Sequence, residues 1–419
     1  MNKRDFLKTF GTAAIGSPFL SLDLSSNHKF ENYSKRNNLS ETDFWKKIRE
    51  DYTLKKDYIN LENGYYCIVP NPTLNNFIAH VKKINIEGSY YMRNSRDKDN
   101  KRIEARLANF LNCSPEELVI TRNTTESLDL IIGGFPWKKG DEAIYAKQDY
   151  GAMQQMFKLV SKRHGVVNKV VSVPNHPKSD EEIVKLYENQ ITSKTKLIMV
   201  CHMVNITGHI LPIRKICDMA HKYGVEVMVD GAHCIGHFKV NISELNCDYY
   251  GSSLHKWLST PLGVGILYIS KNKVSKINPL LASHVHEQDN ILRLNHIGTH
   301  PVYTDLAVDN ALDYQEMIGV ERKENRLRYI QRYWSDKLRK IKNVVINTPI
   351  EKHKSCGIAN VGIKNMDPGK LSKILLDKYQ IFTVAINHEN VVGCRISPNV
   401  YTNEEDLEHF ISSMKELAV

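Results

Sequence analysis

Apolar residues along this chain fall into two repeating patterns. Short unbroken apolar runs alternate with longer stretches in which apolar positions recur every three or four residues. The first pattern is that of strands buried on both faces, and the second that of helices with one face on a core. From about residue 60 the two alternate. Residues 118–120, 142–145, 166–173, 196–201, 226–230, 249–252 and 265–269 read as strands, and 125–132, 152–164 and 214–223 as helices. Strands separated by helices predict an α/β fold with a mainly parallel sheet covered on both faces.

Residues 303–341 have no internal proline and read as one long helix joining two domains. Beyond them, short strands (344–346, 358–361, 383–386) mix with helices (369–378, 403–414), which predicts a smaller α+β domain at the C-terminal end. A further helix is expected over 45–58, behind a polar stretch at 23–45 rich in Ser and Asn that reads as a linker. The expected division is therefore residues 1–25 as a signal, 26–59 as a linker or arm, 60–310 as a large domain, and 311–419 as the linking helix and small domain.

The first residues differ in kind. Lys3-Arg4-Asp5-Phe6-Leu7-Lys8 precedes a weakly apolar, small-residue stretch that reaches Leu22. This resembles a twin-arginine export signal, with Lys3 in place of the first arginine. The expectation is a periplasmic or exported protein, or a cytoplasmic one if the segment is only a basic tail.

Composition narrows the classes. No run of eighteen apolar residues occurs, so no membrane-spanning helix is expected. The 57 Lys and Arg outnumber the 47 Asp and Glu for a net charge of +10, yet they are spread along the chain. That favours a solubilising surface over a nucleic-acid-binding stripe, and no zinc-finger or helix-turn-helix signature is present. The eight cysteines form no CxxC pair and no zinc spacing. Several lie in apolar runs, where a buried reduced thiol is the usual state, so neither a metal site nor a disulfide framework is expected.

Four local signals follow one another in order. Thr121-Arg122-Asn123-Thr124-Thr125-Glu126-Ser127 is a polar turn between a strand and a helix. Free N–H groups at a helix start bind phosphate, and Thr124 and Thr125 add hydroxyls; alternatively Asn123 or Thr124 is simply the helix cap. In Val229-Asp230-Gly231-Ala232-His233 an acid ends an apolar strand, where ligands of open α/β sheets bind. Asp230 can hold a protonated ring nitrogen or cap a turn, and His233 can stack on or bond to such a ring. Gly251-Ser252-Ser253-Leu254-His255-Lys256-Trp257 places a lysine after a short strand, flanked by Ser253 and His255. A lysine that burial and neighbouring positive charge keep neutral can form a Schiff base and later act as a base. Finally, Arg395 in Gly393-Cys394-Arg395-Ile396-Ser397-Pro398 can fork onto a carboxylate or form a surface ion pair.

As an ordered set these motifs resemble class V of the aminotransferase family, within the fold-type I enzymes that use pyridoxal 5'-phosphate (PLP). The resemblance runs from about Tyr58 to the C-terminal end, and the DGAH and RISP forms are most similar to the isopenicillin-N epimerase-like subgroup. It implies that Lys256 carries the aldimine and Asp230 pairs with the pyridine nitrogen. Thr124, Thr125, Ser253 and His255 would hold the phosphate. Asn205 would contact the ring hydroxyl, as would His233, which stands where relatives often carry Gln. Tyr150 matches the ring-stacking position. Gly298-Thr299 resembles a segment that reaches the phosphate of a partner in a homodimer. Arg395 would bind a substrate carboxylate, and Asn63-Gly64 matches the loop at the substrate entrance.

The implied substrate is a small amino-acid-like molecule, an amino acid or small peptide, handled through a quinonoid with an epimerase- or aminotransferase-type outcome. Carbon–sulfur lyase or desulfurase chemistry and a non-catalytic PLP-fold binding protein are the alternatives. Desulfurases of this class carry a mobile nucleophilic Cys before the arginine segment, and residues 382–390 contain none.

Overall fold

Seven strands build the main sheet of the computed structural model, which describes Arg36 and residues 39–419. In chain order they are β2 (Leu118–Thr121), β3 (Glu142–Ala146), β4 (Val167–Val171), β5 (Thr195–Cys201), β6 (Glu226–Asp230), β7 (Tyr249–Ser253) and β8 (Gly265–Ile269). Their spatial order is β2-β8-β7-β6-β5-β3-β4. All neighbouring pairs are parallel except those made by β8, which runs antiparallel to β2 and β7. Strands such as β6 and β8 are buried at every position, which explains their apolar runs at 227–229 and 266–269. The mainly parallel α/β fold expected from the pattern is present.

Helices cover the sheet. The helix Ile213–Lys222 buries Ile213, Ile216, Cys217 and Ala220, one face at helical spacing. The helix Thr124–Gly134 sends Leu128, Ile131 and others into the core that includes Met199, Met228 and Tyr249. A second, antiparallel sheet has the order β12-β13-β10-β9, from β9 (Val344–Ile346), β10 (Ala359–Ile363), β12 (Val384–His388) and β13 (Val391–Ile396). Its core is filled from the helices Val320–Leu338 and Glu404–Leu417, where Trp334 and Phe410 meet edge to face at 5.4 Å. The segment β1 (Ile59–Asn60) pairs in parallel with β11 (Ile381–Phe382), and Glu62 bridges to Ser397. That stitch brings a stretch near the start of the described chain beside the end of β13.

Three expectations are corrected. The helix expected over 45–58 is Glu41–Glu50: Ser40 caps it by accepting the Asp43 N–H, and the chain is irregular from Asp51 until β1. Alternation does not begin at residue 60, because Asn71–Glu87, Ser89–Asn94 and Arg96–Leu111 are consecutive helices. The single helix expected over 303–341 is two, Tyr303–Ile318 and Val320–Leu338. The break is Gly319, whose φ of 88° lies in the region that favours glycine. Residue 310, the expected end of the large domain, lies in the first of these helices, and residues 39–419 belong to one compact unit. The expected export signal lies outside the described residues. Among the described residues no helix is long and apolar enough to cross a membrane, and no group of acids, His and Cys is arranged to hold a metal.

Candidate active site

The register of the main sheet lines up Cys201, Asp230 and Gly251 at the carboxyl ends of β5, β6 and β7. Such strand ends are where open α/β sheets bind ligands. A cavity of about 350 Å³ opens there. Its lining includes Thr124, Thr125, Tyr150, Asn205, Asp230, His233, Ser253, His255, Lys256 and Arg395, ten positions picked out from the sequence.

Lys256 sits in the turn after β7. The turn is pinned by Leu254 N–H donating to Val264 O, Ser259 N–H to Lys256 O, and Cys67 N–H to His255 O. Burial holds the Lys256 amine down to about 8; Asp230 opposes that shift and Arg395 adds to it. Among the described residues its one hydrogen-bonding neighbour is His233, with 3.1 Å between Nζ and Nε2. Burial pushes Asp230 up, against the pull of the Ala232 N–H and of Lys256. Ala232 N–H bonds Oδ1 at 3.0 Å, while Oδ2 has no protein donor among the described residues. A buried carboxylate with a free oxygen is a site for a cation.

The opposite end of the cavity is a set of donors. Asn123 is the cap of the helix Thr124–Gly134, accepting the Glu126 N–H at 2.9 Å. Thr124 is therefore free of that task. Its N–H and hydroxyl both meet Ser253 Oγ, at 2.9 and 2.7 Å. The Thr125 N–H, in the first turn, has no protein acceptor among the described residues. His255 is less simple than the sequence suggested. Its Nδ1 bonds Val264 O at 3.1 Å, and burial lowers the ring to about 4. While neutral it presents a lone pair on Nε2, so it donates to an anion only after gaining a proton.

Arg395 stands on the far wall. Its Nε and Nη2 already fork onto Glu62 at 3.0 and 2.5 Å, with both side chains buried. Nη1 reaches Asn205 O at 3.4 Å. The two-point carboxylate clamp expected of Arg395 is thus filled along one edge by the protein itself, and the Nη1–Nη2 edge is what remains for a ligand. Gly64 permits this packing, since a Cβ there would lie 2.6 Å from the guanidinium carbon. Glu62 was not evident from the sequence; the only signal was its place beside Asn63-Gly64.

Two predicted positions are not in the cavity. Asn63 is fully buried, donating to Ser397 O at 2.8 Å and accepting from the Tyr401 hydroxyl at 2.8 Å. It ties the loop to the strand end, and Gly64 and Tyr65 line the entrance instead. Thr299 is exposed and outside the cavity of the single chain. Trp257, quoted only as part of the lysine motif, is fully buried and bonded to His233 at 3.3 Å.

The sequence model described as Aminotransferase class-V matches residues 73–410. The chain belongs to the class V aminotransferase family. Among class V relatives, isopenicillin N epimerase of Amycolatopsis lactamdurans is 26% identical over 332 residues, which cover 75% of this chain and 83% of the relative. A probable cysteine desulfurase of Methanothermobacter thermautotrophicus is 24% identical over 400 residues, covering 88% and 97%. The apo cysteine desulfurase of Thermococcus onnurineus NA1 shares the fold, with a TM-score of 0.78, 22% identity, and 89% and 98% of the two chains covered. A C-DES mutant with glycine covalently linked to its PLP cofactor superposes at 0.80 with 19% identity, covering 88% and 99%.

The donor set described above fits pyridoxal phosphate. An amine held near neutrality can meet an aldehyde, Asp230 Oδ2 can take a ring N–H, and the Thr125 N–H with the Thr124 and Ser253 hydroxyls can take a phosphate.

Proposed function

We propose that this chain is a PLP-dependent enzyme that labilises a bond at the α-carbon of an amino acid or small peptide, with Lys256 as its covalent anchor and base. The observation that carries the reading is the pairing, in one cavity, of a buried lysine held to about 8 and a buried strand-end carboxylate with a free oxygen. When bound, pyridoxal phosphate supplies an aldehyde that captures amines and a ring that accepts charge from the breaking bond.

The chain's own groups do the rest. Asp230 would hold a cationic ring nitrogen on its free oxygen. Lys256 Nζ would take or return a proton at the substrate's α-carbon. Arg395 offers its remaining edge to a substrate carboxylate and so orients the bond to be broken. Thr124, Thr125 and Ser253 would hold the phosphate, and Tyr150, half exposed at the mouth of the cavity, is placed to pack against a bound ring.

Epimerase- or aminotransferase-type chemistry is the outcome we favour. A desulfurase relay through a mobile thiol is poorly served here. Cys394 is fully buried in β13, its thiol bonded to Pro368 O and pushed up by burial to about 12. Cleavage of a carbon–sulfur bond without a protein thiol remains the second reading, because relatives named cysteine desulfurase match over most of the chain. Incubating the holoprotein with single amino acids and short peptides, with and without a 2-oxo acid to accept the amino group, then resolving products by chiral chromatography and mass spectrometry, tests both. Inverted products, or deaminated products that need the 2-oxo acid, support the first reading, released sulfide the second, and no turnover of any amine substrate under either condition contradicts both.

We also infer a homodimer. Its support is the exposed apolar surface of Ile78, Ile86, Tyr90, Leu280 and Leu281, together with the likeness of Gly298-Thr299 to a cross-subunit phosphate contact. Analytical sedimentation of an active monomer would remove Thr299 from the site.

A further inference from the structure

Three buried rings stand behind the Lys256 amine. Trp257 donates its indole N–H to His233 Nδ1 at 3.3 Å, and His233 Nε2 faces Lys256 Nζ at 3.1 Å. Indole nitrogen is only ever a donor, so Nδ1 must accept. A neutral imidazole then carries its single proton on Nε2. The bond across the 3.1 Å gap therefore runs from His233 to Lys256, and only an uncharged amine has the lone pair to receive it. We propose that Trp257 is a positioning residue that fixes the tautomer of His233 and, through it, holds the Lys256 amine in its uncharged, accepting form.

The surroundings keep Trp257 in place. Its ring stacks on His237 with centroids 3.7 Å apart and planes 20° apart. Lys323 Nζ donates to the Trp257 carbonyl at 2.6 Å and to Gln315 at 2.9 Å. His237 is itself locked, with Nδ1 on His233 O at 2.8 Å and Nε2 accepting the Gly357 N–H at 2.7 Å. The indole has no room to turn its N–H elsewhere.

Other groups also act on the amine. Asp230, Cys67 and Cys201 favour its charged form, while Arg395 and burial disfavour it. Around His233, burial, Lys256, Arg395, His237 and His255 all oppose a second proton, so the neutral ring assumed above is the stable one. Removing the indole N–H frees Nδ1. His233 can then hold its proton there and accept from a Lys256 ammonium through Nε2, and the amine becomes harder to deprotonate.

This inference rests on Lys256 being the reactive amine, so its test avoids the cofactor. Full-length chain stripped of cofactor is trace-labelled with acetic anhydride across a pH series. The peptide bearing Lys256 is quantified by mass spectrometry. Wild type is expected to reach half-maximal reactivity near pH 8. Trp257→Phe, checked for folding by circular dichroism, is expected to shift that midpoint up by about one unit, so labelling near neutrality falls about tenfold. A folded variant with an unmoved midpoint overturns the proposal. Wild type labelled with 15N-histidine gives a second reading that needs no variant. His233, assigned by its loss in His233→Asn, is expected to show an unprotonated Nδ1 and a protonated Nε2. The opposite tautomer overturns the proposal. Neither result depends on whether pyridoxal phosphate binds, so failure here is separable from failure of the enzymatic reading.

Discussion

The two walls of the cavity are built in opposite ways. On the lysine wall, Asp230, His233, Ser253, His255 and Lys256 come from two adjacent strands and the turns that follow them, within residues 230–256. On the arginine wall, Glu62 and Arg395 are separated by 333 positions in the chain and meet because the segment after β1 is stitched to β11 and the end of β13. The first wall carries available chemical capacity: an amine that burial makes easier to deprotonate and a carboxylate with a free oxygen. The second carries a buried ion pair that is already complete on one edge. Reactivity is thus concentrated where sequence neighbours place it, and orientation where distant segments meet.

That contrast can be broken at several points. Asp230→Asn is expected to have the largest effect. An amide cannot hold a cation, and breaking a buried ionic contact costs about 3–5 kcal/mol. Turnover should therefore fall by at least a hundredfold on the order-of-magnitude scale, with the cofactor still bound. Turnover within tenfold of wild type would show that Asp230 does not serve the ring.

Glu62→Gln comes next, and its effect belongs to stability. It leaves the buried Arg395 guanidinium without its counter-charge, so chemical denaturation should show a loss of about 3 kcal/mol. A change below about 1 kcal/mol would mean that solvent or another acid replaces Glu62.

Arg395→Lys separates the walls more finely. Lysine cannot fork onto Glu62 and a substrate together. The expected loss in kcat/KM for a carboxylate substrate is about 1.5–3 kcal/mol, the scale of a hydrogen bond to a charged group, carried mostly by KM. The absorbance of the resting holoprotein should not move, because the lysine wall is untouched. Equal kinetics for an amino acid and its decarboxylated amine would remove the clamp altogether.

The smallest effect is expected far from both walls. Arg214 pairs with Asp218 one helical turn away on an exposed surface. Arg214→Ala should cost only about 0.3–0.5 kcal/mol in thermal or chemical denaturation, with activity unchanged. A larger loss would show that the main sheet depends on its outer helices more than the burial pattern indicates.

The same contrast explains what could be read from the sequence. Strand β6 ends on Asp230 and the Lys256 turn follows β7 because their apolar runs are bounded by polar residues, a local signal. The motif order then carried ten site positions into one cavity. Glu62 gave no such signal, since its partner is fixed by a parallel bridge between distant segments. The partners of Asn63 were hidden for the same reason: its amide meets Ser397 and Tyr401, both distant in the chain. Gly319 was legible in principle, since glycine as well as proline can end a helix. Trp257 shows a subtler limit. Its apolar bulk predicts burial, but the direction of its one N–H depends on where His233 lies in three dimensions.

The central claim, that Lys256 is the covalent anchor, has a direct test. Purified wild-type holoprotein is reduced with borohydride, digested, and mapped by mass spectrometry. The account predicts a pyridoxyl addition on the peptide bearing Lys256, and no addition there in Lys256→Ala. Lys323 is the instructive alternative, since burial holds its amine down to about 8 as well, yet it bonds the Trp257 carbonyl and Gln315 and does not line the cavity. An adduct on Lys323 or any other lysine, or none in the wild type, would contradict the account.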